Sequence, residues 1–215
     1  MMPGLAAIYD AAFFAEWGKG NEAYARTAAV IAGALTAEFK PRRVADLGCG
    51  CGVYAYELAR RGVEVLALDG VAPPPEHSYP VEVRLQDLTV PFENAWGDFD
   101  FALCLEVAEH IPEELSDAFL DNLTRFSGTL VMSAAPPYQG GHHHVNEQPK
   151  RYWVRRLAER GFAYDRARTG RLFEAVLAVR PPLLWMAQHV SVYERIPDLA
   201  RRKDRLPFSV RPGGD

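Results

Sequence analysis

The amino-acid sequence predicts an α/β protein built around a mostly parallel sheet, and three observations carry that prediction. Residues 44–52, Val44-Ala45-Asp46-Leu47-Gly48-Cys49-Gly50-Cys51-Gly52, pass from an apolar run through an acid into alternating glycines, and helical periodicity follows at once in Val53, Tyr56, Leu58 and Ala59. Short apolar runs recur at 63–69, 99–106 and 128–134 with helical stretches between them, as strand–helix–strand units require. At 215 residues the chain is long enough for one full core and fits one elaborated domain.

In chain order, Leu5, Ile8, Ala12, Phe13 and Trp17 form a stripe that predicts a helix over 5–17, broken by Gly18-Lys19-Gly20. Asn21 caps a second helix running to about Phe39, with Tyr24, Ala28, Ile31 and Leu35 on one side and Pro41 beyond its end. This helical pair precedes the first strand and has no place in the sheet. After the glycines a helix over 53–61 stops at Gly62, and a second strand ends at Asp69. Three consecutive prolines, 73–75, make 71–77 a loop over the carboxyl edge of the sheet, with His77 solvated. A short third strand closes at Gln86-Asp87-Leu88, and 87–98 reads as loop. The fourth strand, 99–106, leads to a helix that opens on Pro112 with Glu113 and Glu114 in its first turn and runs to about Phe126.

Residues 128–134 form a fifth strand, apolar as a buried parallel strand is. The loop 135–149 leaves its carboxyl end, where open α/β sheets bind ligands, and carries His142, His143 and His144. Asn146 or Gln148 is expected to cap the next helix, which contains Tyr152, Trp153 and Leu157 and stops at Gly161. Alternation predicts a strand over 162–168, a short helix over 172–179 before Pro181-Pro182, and a last strand over 189–195, the two strands forming an antiparallel pair at one sheet edge. The tail 201–215 is locally basic and expected to be loose. The boundaries are therefore 1–40, 41–200 and 201–215.

Composition narrows the function classes. Apolar residues make up 48% and charged residues 24%, ordinary values for a globular domain. The net charge of −4 lacks the basic footprint of a nucleic-acid binder. Three cysteines (Cys49, Cys51, Cys104), an odd number without framework spacing, argue for reduced thiols and a cytoplasmic setting. No run approaches the roughly 18 apolar residues of a membrane span, and the N-terminus lacks a signal-peptide pattern. The abundance of arginine and alanine is compatible with a high-GC bacterial source.

The glycine loop supports two ligands. Gly50-x-Gly52-x-x-Ala55 fits the dinucleotide pattern, in which a pyrophosphate rests on a helix N-terminus. Asp46-x-Gly48-x-Gly50-x-Gly52 instead puts a carboxylate at the strand end, suited to a cation such as the α-ammonium of a methionine moiety. In this second form the run resembles motif I of the class I S-adenosylmethionine (SAM) dependent methyltransferases. The resemblance continues in Asp69, placed for both ribose hydroxyls, in Gln86-Asp87-Leu88, where that family holds the adenine, and in the Asp100-led fourth strand. It implies a Rossmann-like seven-stranded, mostly parallel sheet with helices on both faces and an antiparallel edge strand. It also makes 1–40 a helical lid over the SAM pocket, with Tyr9, Phe13, Trp17 and Tyr24 covering cofactor or substrate unless they only pack the lid onto the body.

Methyl transfer asks for positioning, and for removal of a proton when the acceptor is a hydroxyl. Glu106-Val107-Ala108-Glu109-His110 follows the fourth strand, so Glu106, Glu109 and His110 can share one face of a helical turn beside the methyl group. A histidine from 142–144 completes a set suited to Mg²⁺, Mn²⁺, Fe²⁺ or Zn²⁺. The Glu-x-x-Glu-His run resembles the ubiquinone-biosynthesis O-methyltransferases and the small-RNA 3′-end 2′-O-methyltransferases. That resemblance makes Glu106, Glu109, His110 and one of His142–His144 the metal ligands. His144 is the choice, because it abuts the expected helix start. Without a metal, His144 or His110 is the general base. Tyr138, Trp153, Trp185 and Met186 are candidates for the substrate wall or the core.

The leading expectation is a SAM-dependent O-methyltransferase acting on a small hydroxylated metabolite: a sugar, nucleoside or phenol. An NAD(P)-dependent oxidoreductase is the second reading, but the chain has no Tyr-x-x-x-Lys pair, and that reading leaves Asp46 and the 106–110 run without a task. A third is a non-catalytic SAM-binding partner protein.

Overall fold

A computed structural model describes residues 5–197, with the side chain of Ala6 excepted. The expected tail at 201–215 and the last residues of the 41–200 unit lie outside the described residues. The chain order is α1 (Leu5–Ile8), α2 (Ala11–Glu16), α3 (Glu22–Phe39), β1 (Arg43–Leu47), α4 (Val53–Ala59), β2 (Glu64–Asp69), β3 (Val83–Leu85), β4 (Phe101–Cys104), α5 (Ser116–Leu123), β5 (Thr129–Met132), α6 (Lys150–Ala158), β6 (Phe162–Tyr164), α7 (Arg166–Val179), α8 (Trp185–Gln188) and β7 (Ser191–Arg195). Three 3₁₀ turns lie at Pro75–His77, Ala108–His110 and Glu113–Leu115.

The seven strands form one sheet in the order β3-β2-β1-β4-β5-β7-β6. The first five pair in parallel; β7 runs antiparallel to both β5 and β6, with Val131 opposite Val192 and Ala163 opposite Glu194. The expected antiparallel pair therefore closes the sheet, with β7 one place in from the edge. This is the Rossmann-like seven-stranded architecture that the family resemblance implied.

The two-residue period of each strand divides its side chains between two cores. Val44, Phe101, Leu103, Val131 and Val192 pack with Ile31, Leu35, Leu58, Leu172 and Val176 on the face covered by α3, α4 and α7. Their neighbours Ala45, Ala102, Cys104, Leu130 and Tyr193 turn to the other face, against Phe119, Leu123, Trp153 and Leu157 of α5 and α6. Large side chains such as Phe101 and Phe119 are fully buried, each contributing about 1.5–3 kcal/mol of transfer free energy.

Several boundaries differ from the sequence expectation for local reasons. The helix expected over 5–17 is two helices, because Asp10 leaves the helical conformation and its Oδ1 accepts from the N–H groups of Ala12 and Phe13, capping α2. Asn21 caps α3 as expected, accepting from the Tyr24 N–H at 2.9 Å. Neither Asn146 nor Gln148 caps α6, whose N-cap is Pro149. Asn146 is instead buried and donates to the Ile111 carbonyl and to Ser116 Oγ. The strand expected to reach Arg168 stops at Tyr164, because Asp165 accepts from the Arg168 N–H and starts α7 six residues before the expected helix. No helix of the described residues is long and apolar enough to cross a membrane.

Candidate active site

A cavity of about 500 Å³ opens at the carboxyl ends of β1, β2 and β4. Asp46, Gly48, Gly50, Asp69, Asp87 and Leu88 line one part of it; Glu106, Glu109, His110 and His144 line another. Tyr9, Phe13, Trp17 and Tyr24 close it from the N-terminal helices, joined by Trp185 and Met186. The other two candidates for the substrate wall are elsewhere: Tyr138 is fully exposed and Trp153 sits in the α5/α6 core.

Within the glycine loop Gly50 and Gly52 serve different ends. Gly50 has φ +54, its added Cβ would meet nothing within 4 Å, and its N–H donates to Asp69 Oδ2 at 2.8 Å. Its backbone is thus free to approach a ligand. Gly52 does not line the cavity. At φ +81 its Cβ would stand 2.4 Å from Val81 Cγ2, so packing fixes it as glycine. Gln86 also stays outside the lining; its N–H bonds the Asp69 carbonyl and its amide bonds the Asp87 carbonyl.

Burial raises the pKa of two acids in the cavity. Asp46 is 2% exposed, its Oδ2 has no partner, and burial pushes its carboxyl up to about 7. An unpaired carboxylate of this kind calls for a cation. Burial also raises Asp69, while backbone N–H groups of Val71 and Gly50 oppose the rise.

The acceptor side is assembled from two loops. Glu106 adopts φ +55, a conformation that costs a non-glycine residue about 1–3 kcal/mol and is kept where surrounding contacts enforce it. Its N–H donates to Ser133 Oγ at 3.0 Å, the Ser133 hydroxyl donates to its Oε1 at 2.6 Å, and Gln139 Nε2 donates to its Oε2 at 3.3 Å. Glu109 is fully buried and neither carboxylate oxygen has a partner. Burial, reinforced by the charge of Glu106, holds its carboxyl well above the usual range. The Glu109 carbonyl accepts from the N–H groups of both Val145 and Asn146 at 2.9 Å, which ties this turn to the histidine loop.

Glu109, His110 and His144 each offer a ligand atom within 4.8 Å of the others. Glu106 is not in that group; its oxygens are held by Ser133 and Gln139. The His110 and His144 rings meet edge to face at 4.9 Å, and burial, with the neighbouring His144, pushes His110 down to about 4. Of the histidine run, only His144 joins the cluster. His142 Nε2 donates to the Ile8 carbonyl of α1 at 2.6 Å, and His143 is exposed with φ +54.

The sequence reading missed Tyr54, Ser133, Gln139 and Glu147. Tyr54 lines the cavity with a buried hydroxyl that has no partner. Its signal is its place in the first turn after the glycines. Glu147 bonds His144 Nδ1 at 2.9 Å, and its signal is the i+3 spacing from that histidine.

A sheet of this order, with a glycine loop and two acids around a cavity at its carboxyl edge, marks a nucleotide-binding α/β protein. A family model described as "Methyltransferase domain" matches residues 19–175, and the chain belongs to that family: it is a SAM-dependent methyltransferase. Among curated relatives, a ubiquinone biosynthesis O-methyltransferase of Acinetobacter baumannii (strain AYE) is 31% identical over 123 residues, covering 52% of this chain and 47% of that protein. The chain thus spans about half the length of the curated relatives it matches. Among solved structures, Burkholderia thailandensis 1,6-didemethyltoxoflavin-N1-methyltransferase with bound 1,6-didemethyltoxoflavin and S-adenosylhomocysteine (SAH) superposes with a TM-score of 0.56 at 18% identity, covering 91% of each chain. The methyltransferase domain of bacterial-CtHen1-C superposes with a TM-score of 0.51 at 19% identity, covering 67% of this chain and 88% of that one. Both show the fold. The resemblance to ubiquinone O-methyltransferases and to Hen1 methyltransferase domains stands, as a distant one.

Proposed function

We propose that the protein transfers a methyl group from SAM to a hydroxyl of a small metabolite, with a divalent cation assisting. The observation that carries this reading is that one cavity holds both the unpaired Asp46 carboxylate and the Glu109/His110/His144 cluster. Asp46 takes the α-ammonium of the methionine moiety, Asp69 the ribose hydroxyls, and Asp87 with Leu88 the adenine side. Tyr9, Phe13, Trp17 and Tyr24 form a lid that excludes water from the reacting atoms.

The cluster fits a metal on its own chemistry. Glu109 has two buried oxygens without a partner, His110 is held neutral, and His144 spends Nδ1 on Glu147 and keeps Nε2 for the site. A bound Mg²⁺, Mn²⁺, Fe²⁺ or Zn²⁺ supplies Lewis acidity that lowers the pKa of a coordinated hydroxyl. Glu106, braced by Ser133 and Gln139, orients the acceptor side of the cavity. With no metal bound, His144, whose Nδ1 donates to Glu147, offers Nε2 as the proton acceptor.

The relative that names ubiquinone biosynthesis acts on oxygen, which favours a hydroxyl acceptor, and the toxoflavin enzyme shows a small heteroaromatic acceptor on the same fold. Calorimetric titration with SAH, with and without Mn²⁺, tests the reading. Micromolar SAH binding together with stoichiometric Mn²⁺ binding supports it. Mn²⁺ that binds no tighter to wild type than to Glu109→Gln removes the metal from it.

A further inference from the structure

Glu147 gathers three donors from one loop. Its Oε1 accepts from His144 Nδ1 at 2.9 Å and from the Gly140 N–H at 2.6 Å, while its Oε2 accepts from the Tyr138 N–H at 2.8 Å. These bonds close residues 138–147 into a ring whose turns use left-handed backbone at Tyr138 (φ +73), Gly140 (φ +68) and His143 (φ +54). Such positions are unfavourable for non-glycine residues and need a tie to hold them. The His144 ring packs close against Gly141, where an added Cβ would stand 2.3 Å from Nε2, so only glycine leaves room for the ring there.

We infer that Glu147 is the positioning residue of the acceptor site: it fixes His144 as the Nδ1–H tautomer and directs the Nε2 lone pair at Glu109 and His110. The chemistry follows from the donor inventory. An ionised carboxylate has no proton to give, so the 2.9 Å contact requires the hydrogen on Nδ1. A neutral imidazole carries one ring hydrogen, so Nε2 is then left as an acceptor or metal ligand. Carboxylate–histidine pairs support metal-ligating histidines in the same manner. The loop also carries Gln139 to Glu106 and His142 to the Ile8 carbonyl, so one carboxylate registers the loop against β4 and α1. The inference rests on the reading above that His144 faces the acceptor.

The test is long-range ¹⁵N–¹H correlation of the histidine rings in the full chain with SAH bound, at pH 8 and with EDTA present, so that no metal enters the result. His144 is assigned from its absence in His144→Gln. Wild type and Glu147→Gln, which keeps one side-chain oxygen acceptor, are expected to show the Nδ1–H form. Glu147→Ala is expected to move His144 to the Nε2–H form. A protonated Nε2 in the wild type overturns the inference without reference to any variant. Persistence of Nδ1–H in Glu147→Ala, or its loss in Glu147→Gln, overturns it equally. Failure of the metal-assisted reading would show separately, as the absence of Mn²⁺ binding in the calorimetric titration.

Discussion

The backbone N–H of Gly50 donates to Asp69 Oδ2 at 2.8 Å, so the turn after β1 and the acid that ends β2 form one unit. The other oxygen, Oδ1, accepts from the Val71 N–H at 2.9 Å, which leaves each oxygen a lone pair for a ligand hydroxyl. Asp69→Ala therefore removes a brace of the glycine loop and, on the proposed function, the ribose contacts as well. SAH affinity is expected to fall about 10–100-fold, the effect of losing hydrogen bonds to a charged group worth about 1.5–3 kcal/mol. Titration calorimetry reads it directly, and an unchanged affinity would place the ribose elsewhere.

Asp46 gives the empty protein a pH-dependent stability. Its folded-state value of about 7 lies above the ordinary 3.8, so the folded chain holds a proton that the unfolded chain releases. The contribution of Asp46 is greatest below about pH 4, falls between pH 4 and 7 by at most about 1.4 kcal/mol per unit, and is level above. Ligand binding runs the other way: the α-ammonium prefers the ionised carboxylate, so SAH affinity rises as pH passes 7. Thermal unfolding and calorimetry across pH 5–8 check both trends, and Asp46→Asn is expected to flatten them.

Glu109→Gln removes a carboxylate whose two oxygens are buried without partners. Mn²⁺ affinity should drop at least about 10-fold, while SAH affinity is retained. The amide also relieves a buried acid, so the unfolding midpoint should hold or rise. A variant that loses SAH binding as well would show Glu109 to belong to the cofactor half of the cavity.

Asp165 accepts from the Arg168 N–H at 2.9 Å and caps a helix of 14 residues. Asp165→Ala is expected to destabilise the fold by about 1 kcal/mol, seen as a lower urea midpoint with an unchanged slope. Cofactor affinity should not change, because Asp165 does not line the cavity.

That Asp46, Gly48, Gly50 and Asp69 gather at one cavity was legible because the first three lie within five residues and Asp69 ends the next apolar run. Gly52 was legible as a required glycine but for another reason, since contact with Val81 from the following loop decides it. Asp10 and Asp165 fall inside stretches that the periodicity assigns to one helix, 5–17, and one strand, 162–168. A side-chain cap looks the same in sequence as a solvated acid until the backbone shows which N–H groups it meets. The acceptor half depended on Glu147 reaching back to Tyr138, Gly140 and His144, a geometry set by left-handed residues that composition and periodicity do not register. The choice of His144 rested on a helix start that the structure places at Lys150 instead, and the tie of His144 to Glu147 went unseen.

The reversed strand β7 has a consequence for synthesis. Because β7 lies between β5 and β6, β6 pairs with no other strand of the sheet until residues 191–195 are in place. A chain growing from the ribosome thus lays down the cofactor loop and β1, β2 and β4 early, then carries Phe162–Tyr164 as an unpaired edge for some thirty residues of translation. A chain truncated before residue 191 would leave both the β5 edge and Phe162–Tyr164 without the strand they pair with.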